Sequence, residues 1–62
     1  MYLGIDIGGT KTLVAAFDNS GSRLAEKKFE TNHDYSIFLK DLENVVAEIS
    51  TNKIIACCIA IP

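Results

Sequence analysis

Leu3-Gly4-Ile5-Asp6-Ile7-Gly8-Gly9-Thr10-Lys11-Thr12 brings an acidic residue, a glycine pair, two threonines and a lysine into one short string. A Gly-Gly turn lets backbone amides come close to a ligand, because no Cβ stands in the way and a positive φ carries no steric cost. The Thr10 hydroxyl and the Lys11 ammonium beside it can complete a phosphate cradle. Asp6, at the end of the apolar run, is placed to hold Mg²⁺ directly or through water. The combination points to a nucleotide-phosphate site. The plain structural alternatives are a Gly-Gly turn that only reverses the chain, an Asp6 that caps it and a solvated Lys11. The full Asp-x-Gly-Gly-Thr-Lys-Thr string after an apolar strand favours the site. Other nucleotide motifs are absent: the sequence has no Gly-x-x-x-x-Gly-Lys-Ser/Thr loop and no Gly-x-Gly-x-x-Gly.

The elements around this string follow from hydrophobic periodicity. Tyr2 to Ile7 reads as a strand that the glycines interrupt, and Thr12 to Asp18 as a second. The short link between them makes the pair an antiparallel hairpin. Asn19-Ser20-Gly21-Ser22 reads as a turn with a positive φ at the glycine. Arg23 to Thr31 then returns as a third strand, whose Glu26, Lys27, Lys28 and Glu30 suit an exposed edge. Phe38, Leu42, Val45, Val46 and Ile49 recur at helical spacing and form one apolar stripe. Asp34 is the candidate N-cap of that helix and Asn52 its stop, with Tyr35, Ile37 and Phe38 packing its start. Ile54 to Ile61 is apolar throughout and reads as a central strand buried on both faces, with Cys57 and Cys58 as small core residues.

Length and composition limit what the chain can be. Sixty-two residues bury only about 60% of the unfolded surface on folding, which leaves an unstapled domain marginal. One helix covers one face of a sheet, whereas a strand apolar on both sides needs cover on both. The chain also ends at Pro62, where a strand would enter a loop. Residues 1–62 are therefore expected to be an incomplete part of a larger domain. Adjacent strand cysteines point to opposite faces, so they form neither a bridge nor a metal pair. Without a disulfide framework, an apolar span or a leader, a cytoplasmic setting is expected. A net charge of −2 gives no footprint for nucleic acid or membrane. His33 is expected on the surface before the helix, and Lys27-Lys28 on a solvated strand face.

The string from Leu3 to Thr12 resembles the amino-terminal phosphate motif of the ROK family (repressor, open reading frame, kinase), and Ile59-Ala60-Ile61-Pro62 resembles the strand leading to its Pro-Gly segment. The resemblance implies an α/β fold: a ribonuclease-H-like β-β-β-α-β segment, a mixed sheet with leading antiparallel hairpins, opening an actin-like ATPase domain. It implies that Gly8, Gly9, Thr10 and Lys11 bind the β- and γ-phosphates of ATP, that Asp6 acts on the Mg²⁺ side, and that Thr12 supports the loop. The implied activity of the parent protein is ATP-dependent phosphorylation of a hexose or hexose derivative. Its substrates would be a small sugar and ATP, and a homodimer is one assembly open to it. The family's catalytic aspartate, sugar-binding His and Glu, and Cys-rich zinc motif lie further downstream, so the segment alone is expected to be inactive. Cys57-Cys58 lacks the zinc-motif spacing, and His33 is not the zinc histidine. The alternative within the family is a sugar-responsive repressor, which carries a helix-turn-helix before the motif; a motif starting at residue 3 argues against it. Relatives in the wider superfamily, such as dehydratase activators and acetate-kinase-like enzymes, fit the Ile-Gly-Gly-Thr-Lys-Thr string less well.

Overall fold

The structure, a computed structural model, describes residues 1–49 and 54–60. Its elements run β1 (Tyr2–Ile7), β2 (Lys11–Phe17), β3 (Arg23–Glu30), α1 (Tyr35–Ile49) and β4 (Ala56–Ala60). They form the expected β-β-β-α-β order. The four strands make one mixed sheet in the order β3-β2-β1-β4. β1 and β2 are antiparallel with Ile7 opposite Thr12 and Asp6 opposite Leu13. β2 and β3 are antiparallel with Lys11 opposite Glu30, and β4 joins β1 in parallel after the α1 crossover.

Period-two alternation sorts the residues between the two faces. Leu3, Ile5, Val14 and Ala16 turn to one side and form the core with Met1, Val45 and Ile49. On the opposite, helix-free side lie Gly4, Asp6, Leu13, Ala15 and Phe17, which line one shallow depression. Val14 and Ala16 are fully buried because β2 is the strand with neighbours on both edges and α1 above it. Cation and ring meet on the helix-free side, with the Arg23 guanidinium 5.9 Å from the Phe17 centroid. Lys27, on the helix side of β3, reaches Glu48 of α1 instead.

Two turn devices set the element ends. Asp18 Oδ1 accepts hydrogen bonds from the Ser20 N–H, the Ser20 hydroxyl and the Ser22 N–H. The Ser20 hydroxyl above all holds the Asp18 carboxyl below the ordinary aspartate range. Gly21 completes the turn at φ 89°, in the left-handed region that costs glycine nothing. At the helix start, Asp34 Oδ1 accepts from the Ser36 and Ile37 amides at 3.0 and 3.4 Å. The carboxylate therefore satisfies amides that the first turn leaves unpaired. Asp34→Ala is expected to destabilise the fold by about 1 kcal/mol, whereas Asp34→Asn should cost little, since asparagine caps as well. Urea unfolding of the two variants checks this.

Three expectations need correction. β4 is not a central strand: it lies at the sheet edge, and all five of its residues are exposed. The physical reason is where the helix sits, since α1 packs over β2 and β3 and not over β4. Cys57 and Cys58 are consequently free, exposed thiols and not core residues. They do diverge to opposite faces, Cys57 toward a groove shared with Leu3, Leu42 and Val46, Cys58 toward Gly4 and Asp6. At the helix start only Phe38 is buried, 6.1 Å from the Phe29 ring. Tyr35 and Ile37 point outward and remain exposed. His33 and the Lys27-Lys28 pair are exposed, as expected. The helix stop at Asn52 and the end of the last strand at Ile61 lie outside the described residues.

Candidate functional site

The phosphate string folds as the hairpin between β1 and β2, with Gly9 and Thr10 at its exposed apex. Gly8 closes it by donating its N–H to the Lys11 carbonyl at 2.9 Å. A Cβ on Gly8 would lie 2.9 Å from that same oxygen, whereas a Cβ on Gly9 would meet nothing within 4 Å. The two glycines therefore serve different needs. Gly8 permits the tight closure, and Gly9 leaves the outer side of the apex clear for an approaching group. Neither uses a positive φ, which among the described residues occurs only at Gly21. The expected conformational freedom is thus replaced by a need for space.

Two backbone donors at the apex, the N–H groups of Gly9 and Thr10, have no protein acceptor among the described residues. Successive unpaired amides in an exposed turn can form an anion-binding concavity. Around it the register separates the expected site residues. Asp6 and Lys11 share the helix-free face, since their partners Leu13 and Glu30 lie on it. Both side chains are solvated. Lys11 Nζ lies 3.6 Å from Glu30 Oε1, with both side chains more than half exposed. Such a pair is worth at most about 1 kcal/mol, so it leaves the ammonium free to turn to a stronger anion.

Thr12 takes a different place. It faces α1, is fully buried, and its hydroxyl lies 2.7 Å from that of Thr31. It sits beneath the hairpin, out of reach of a ligand at the apex. Sequence reasoning missed Thr31, which directs its own hydroxyl to the Gly8 carbonyl at 2.9 Å and its N–H to the Thr10 carbonyl at 2.9 Å. The only local signal was a threonine at the end of a strand, which says nothing about its partner across the sheet.

Among the described residues no three His, Cys, Asp or Glu side chains cluster as a metal site. Asp6 is a lone carboxylate on an open face. That suits Mg²⁺, which keeps several waters and is commonly held by one or two carboxylates together with substrate phosphates.

A mixed four-stranded sheet carrying a glycine hairpin at the end of β1, with one helix on one side, is the opening unit of an actin-like ATPase fold. The chain matches the ROK family over residues 2–62 and belongs to that family. It is 47% identical over 49 residues to an N-acetyl-D-glucosamine kinase of Salmonella paratyphi C (strain RKS4594), covering 77% of this chain and 16% of the relative. To the N-acetyl-D-glucosamine kinase of Aliivibrio salmonicida (strain LFI1238) it is 37% identical, with the same coverage. Among solved structures it superposes on a ROK family glucokinase from Streptomyces griseus in complex with glucose and AMPPNP. The TM-score is 0.81 at 28% identity, covering 97% of this chain and 20% of the glucokinase. The chain thus spans about a sixth of the curated relatives and a fifth of the glucokinase. No helix among the described residues is long and apolar enough to cross a membrane.

Proposed function

We propose that this chain supplies the nucleotide-phosphate wall of an ATP-dependent sugar kinase, which transfers the γ-phosphoryl group of Mg·ATP to a hydroxyl of a hexose or hexose derivative. The observation that carries the reading is the exposed apex of Gly9 and Thr10, two amides without a protein acceptor among the described residues, with Asp6 and Lys11 on one sheet face beside it. The kinase names of the relatives, and the glucose and AMPPNP of the glucokinase, support it over the sugar-responsive repressor.

Phosphoryl transfer spreads charge over the equatorial oxygens of the moving group, and the protein contributes chiefly positioning and electrostatic stabilisation. In this reading the Gly9 and Thr10 amides and the Lys11 ammonium hold the β- and γ-phosphates. Thr12 and the sheet beneath keep the hairpin rigid. Asp6 would hold a magnesium ion, directly or through water, and the ion would supply charge neutralisation on the phosphate oxygens. This segment carries no proton-transferring group in the proposal; the base that accepts the sugar proton belongs to the rest of the enzyme.

Asp6→Asn in the full-length protein tests the assignment. The expected result is a fall in kcat of about a hundredfold or more with the KM for sugar unchanged. An unchanged kcat would remove Asp6 from the site.

A further inference from the structure

Thr31 makes three hydrogen bonds, and all of them reach the hairpin region from the far end of β3. Its N–H goes to the Thr10 carbonyl and its hydroxyl to the Gly8 carbonyl, each at 2.9 Å. Its hydroxyl oxygen also lies 2.7 Å from the Thr12 hydroxyl. The direction of that last bond follows from proton count. A carbonyl only accepts, so the single Thr31 proton is committed to Gly8, and Thr12 must be the donor. Thr12, fully buried, has no water to turn to instead. The chain Thr12 to Thr31 to Gly8 therefore runs one way.

This arrangement fixes more than the carbonyls. In a planar trans peptide the C=O of one residue and the N–H of the next point in opposite directions. Drawing the Gly8 carbonyl toward Thr31 turns the Gly9 N–H away from Thr31. Drawing the Thr10 carbonyl toward Thr31 likewise turns the Lys11 N–H away. The two peptide planes that flank the apex are thus both set by one residue. A two-residue turn containing glycine has low intrinsic resistance to peptide rotation, and a rotated plane would present a carbonyl oxygen where a donor is needed. An anion at the apex would then meet repulsion.

We infer that Thr31 is a positioning residue for the nucleotide site, which clamps the Gly8–Gly9 and Thr10–Lys11 peptide planes on either side of the apex so that the hairpin presents the Gly9 N–H to the polyphosphate of a nucleoside triphosphate. The inference rests on the reading of the hairpin as the phosphate loop. Thr31 itself touches no ligand and acts through Gly9 and its neighbours. Thr12 completes the clamp by aligning the Thr31 hydroxyl from below.

The test uses the full-length protein with three variants: Thr31→Val, which keeps the shape and removes the hydroxyl, Thr31→Ser, which keeps the hydroxyl, and Thr12→Val, which removes only its donor. Thr31→Val should raise the KM for ATP about tenfold and leave the KM for sugar within twofold. Thr31→Ser should restore most of the ATP affinity, and Thr12→Val should fall between. Amide hydrogen exchange on the same proteins gives a readout independent of catalysis. In Thr31→Val, the Thr31 and Gly8 amides should exchange faster while the β1–β2 ladder around Ile5 and Val14 keeps its protection. Equal changes in both KM values, or a Thr31→Ser variant as impaired as Thr31→Val, would reduce Thr31 to a packing role and overturn the inference. Unaltered exchange at Gly8 would overturn it as well. If wild type phosphorylates no sugar while the exchange pattern changes as described, the kinase reading fails and the clamp itself stands.

Discussion

Gly8→Ala in the full-length protein is expected to lose most ATP-dependent phosphorylation and to melt at a lower temperature than wild type. The added Cβ would sit 2.9 Å from the Lys11 carbonyl oxygen, which is also the acceptor that closes the hairpin. That neighbour is backbone and has no rotamer to yield. Relief requires β1 and β2 to separate at the hairpin, at a cost of about 1–3 kcal/mol by the usual penalty for overpacking. The same separation would displace Gly9 and Thr10. Gly9→Ala provides the contrast, because its Cβ enters open space. Its stability should stay within about 0.5 kcal/mol of wild type, while the KM for ATP rises because the methyl group occupies the side from which phosphate approaches. Thermal melts and ATP saturation curves for the two variants separate the roles. A Gly8→Ala protein with normal melting and normal ATP use would mean that the closure is not tight in solution.

The second large effect concerns residues 1–62 in isolation, which are expected to self-associate and to lack a cooperative monomeric melt. β4 exposes both faces, with Ile59 at 54% of full accessibility, and Ile55 just before the strand is exposed to 59%. Beside it runs an apolar groove of about 450 Å³, floored by Leu3 and Ile5 and walled by Leu42 and Val46. A small unstapled domain has only about 3–5 kcal/mol of core stability, and an uncovered apolar strand edge invites pairing with other chains. Sedimentation velocity across a concentration series should show association, and Ile59→Lys should shift the population toward monomer. A monomeric segment that unfolds in one sharp transition would contradict this account of β4.

Much of the architecture could be read from the residues because local chemistry decides it. Alternation and the Gly8-Gly9 break define β1 to the residue. The Asp18-to-Ser22 turn follows from side chains that bond their own backbone, and the apolar stripe from Phe38 to Ile49 defines α1. What failed depends on neighbours. The unbroken apolar run of Ile54 to Ile61 says that a strand wants cover, but not whether cover is present. In this chain α1 leans toward β2 and β3, and β4 is left bare. Tyr35 and Ile37 failed for a related reason, since a helix start offers only one face to the sheet and Phe38 occupies it.

The candidate site was legible in part. The hairpin follows from the Gly-Gly break and the short link between two apolar strands, whereas the exposure of its apex and the shared face of Asp6 and Lys11 came with the sheet register. Thr31 was not legible, because its role depends on register. With Phe17 opposite Arg23, counting from the turn would put Thr31 across from Gly9. The irregularity between Ala16 and Phe17 moves it to Thr10 and sets its hydroxyl against Gly8. No residue type announces a one-residue slip of this kind.

The central claim is that the amides of the hairpin apex receive the terminal phosphates of the nucleotide. It is tested most directly by following the Gly9 and Thr10 amide resonances of the full-length protein, selectively labelled with ¹⁵N, during titration with Mg·AMPPNP and, separately, with AMP. Large shifts at Gly9 and Thr10 with AMPPNP and small ones with AMP, which lacks the β- and γ-phosphates, are the predicted result. Equal shifts with both nucleotides, or none with AMPPNP at saturation, would contradict it.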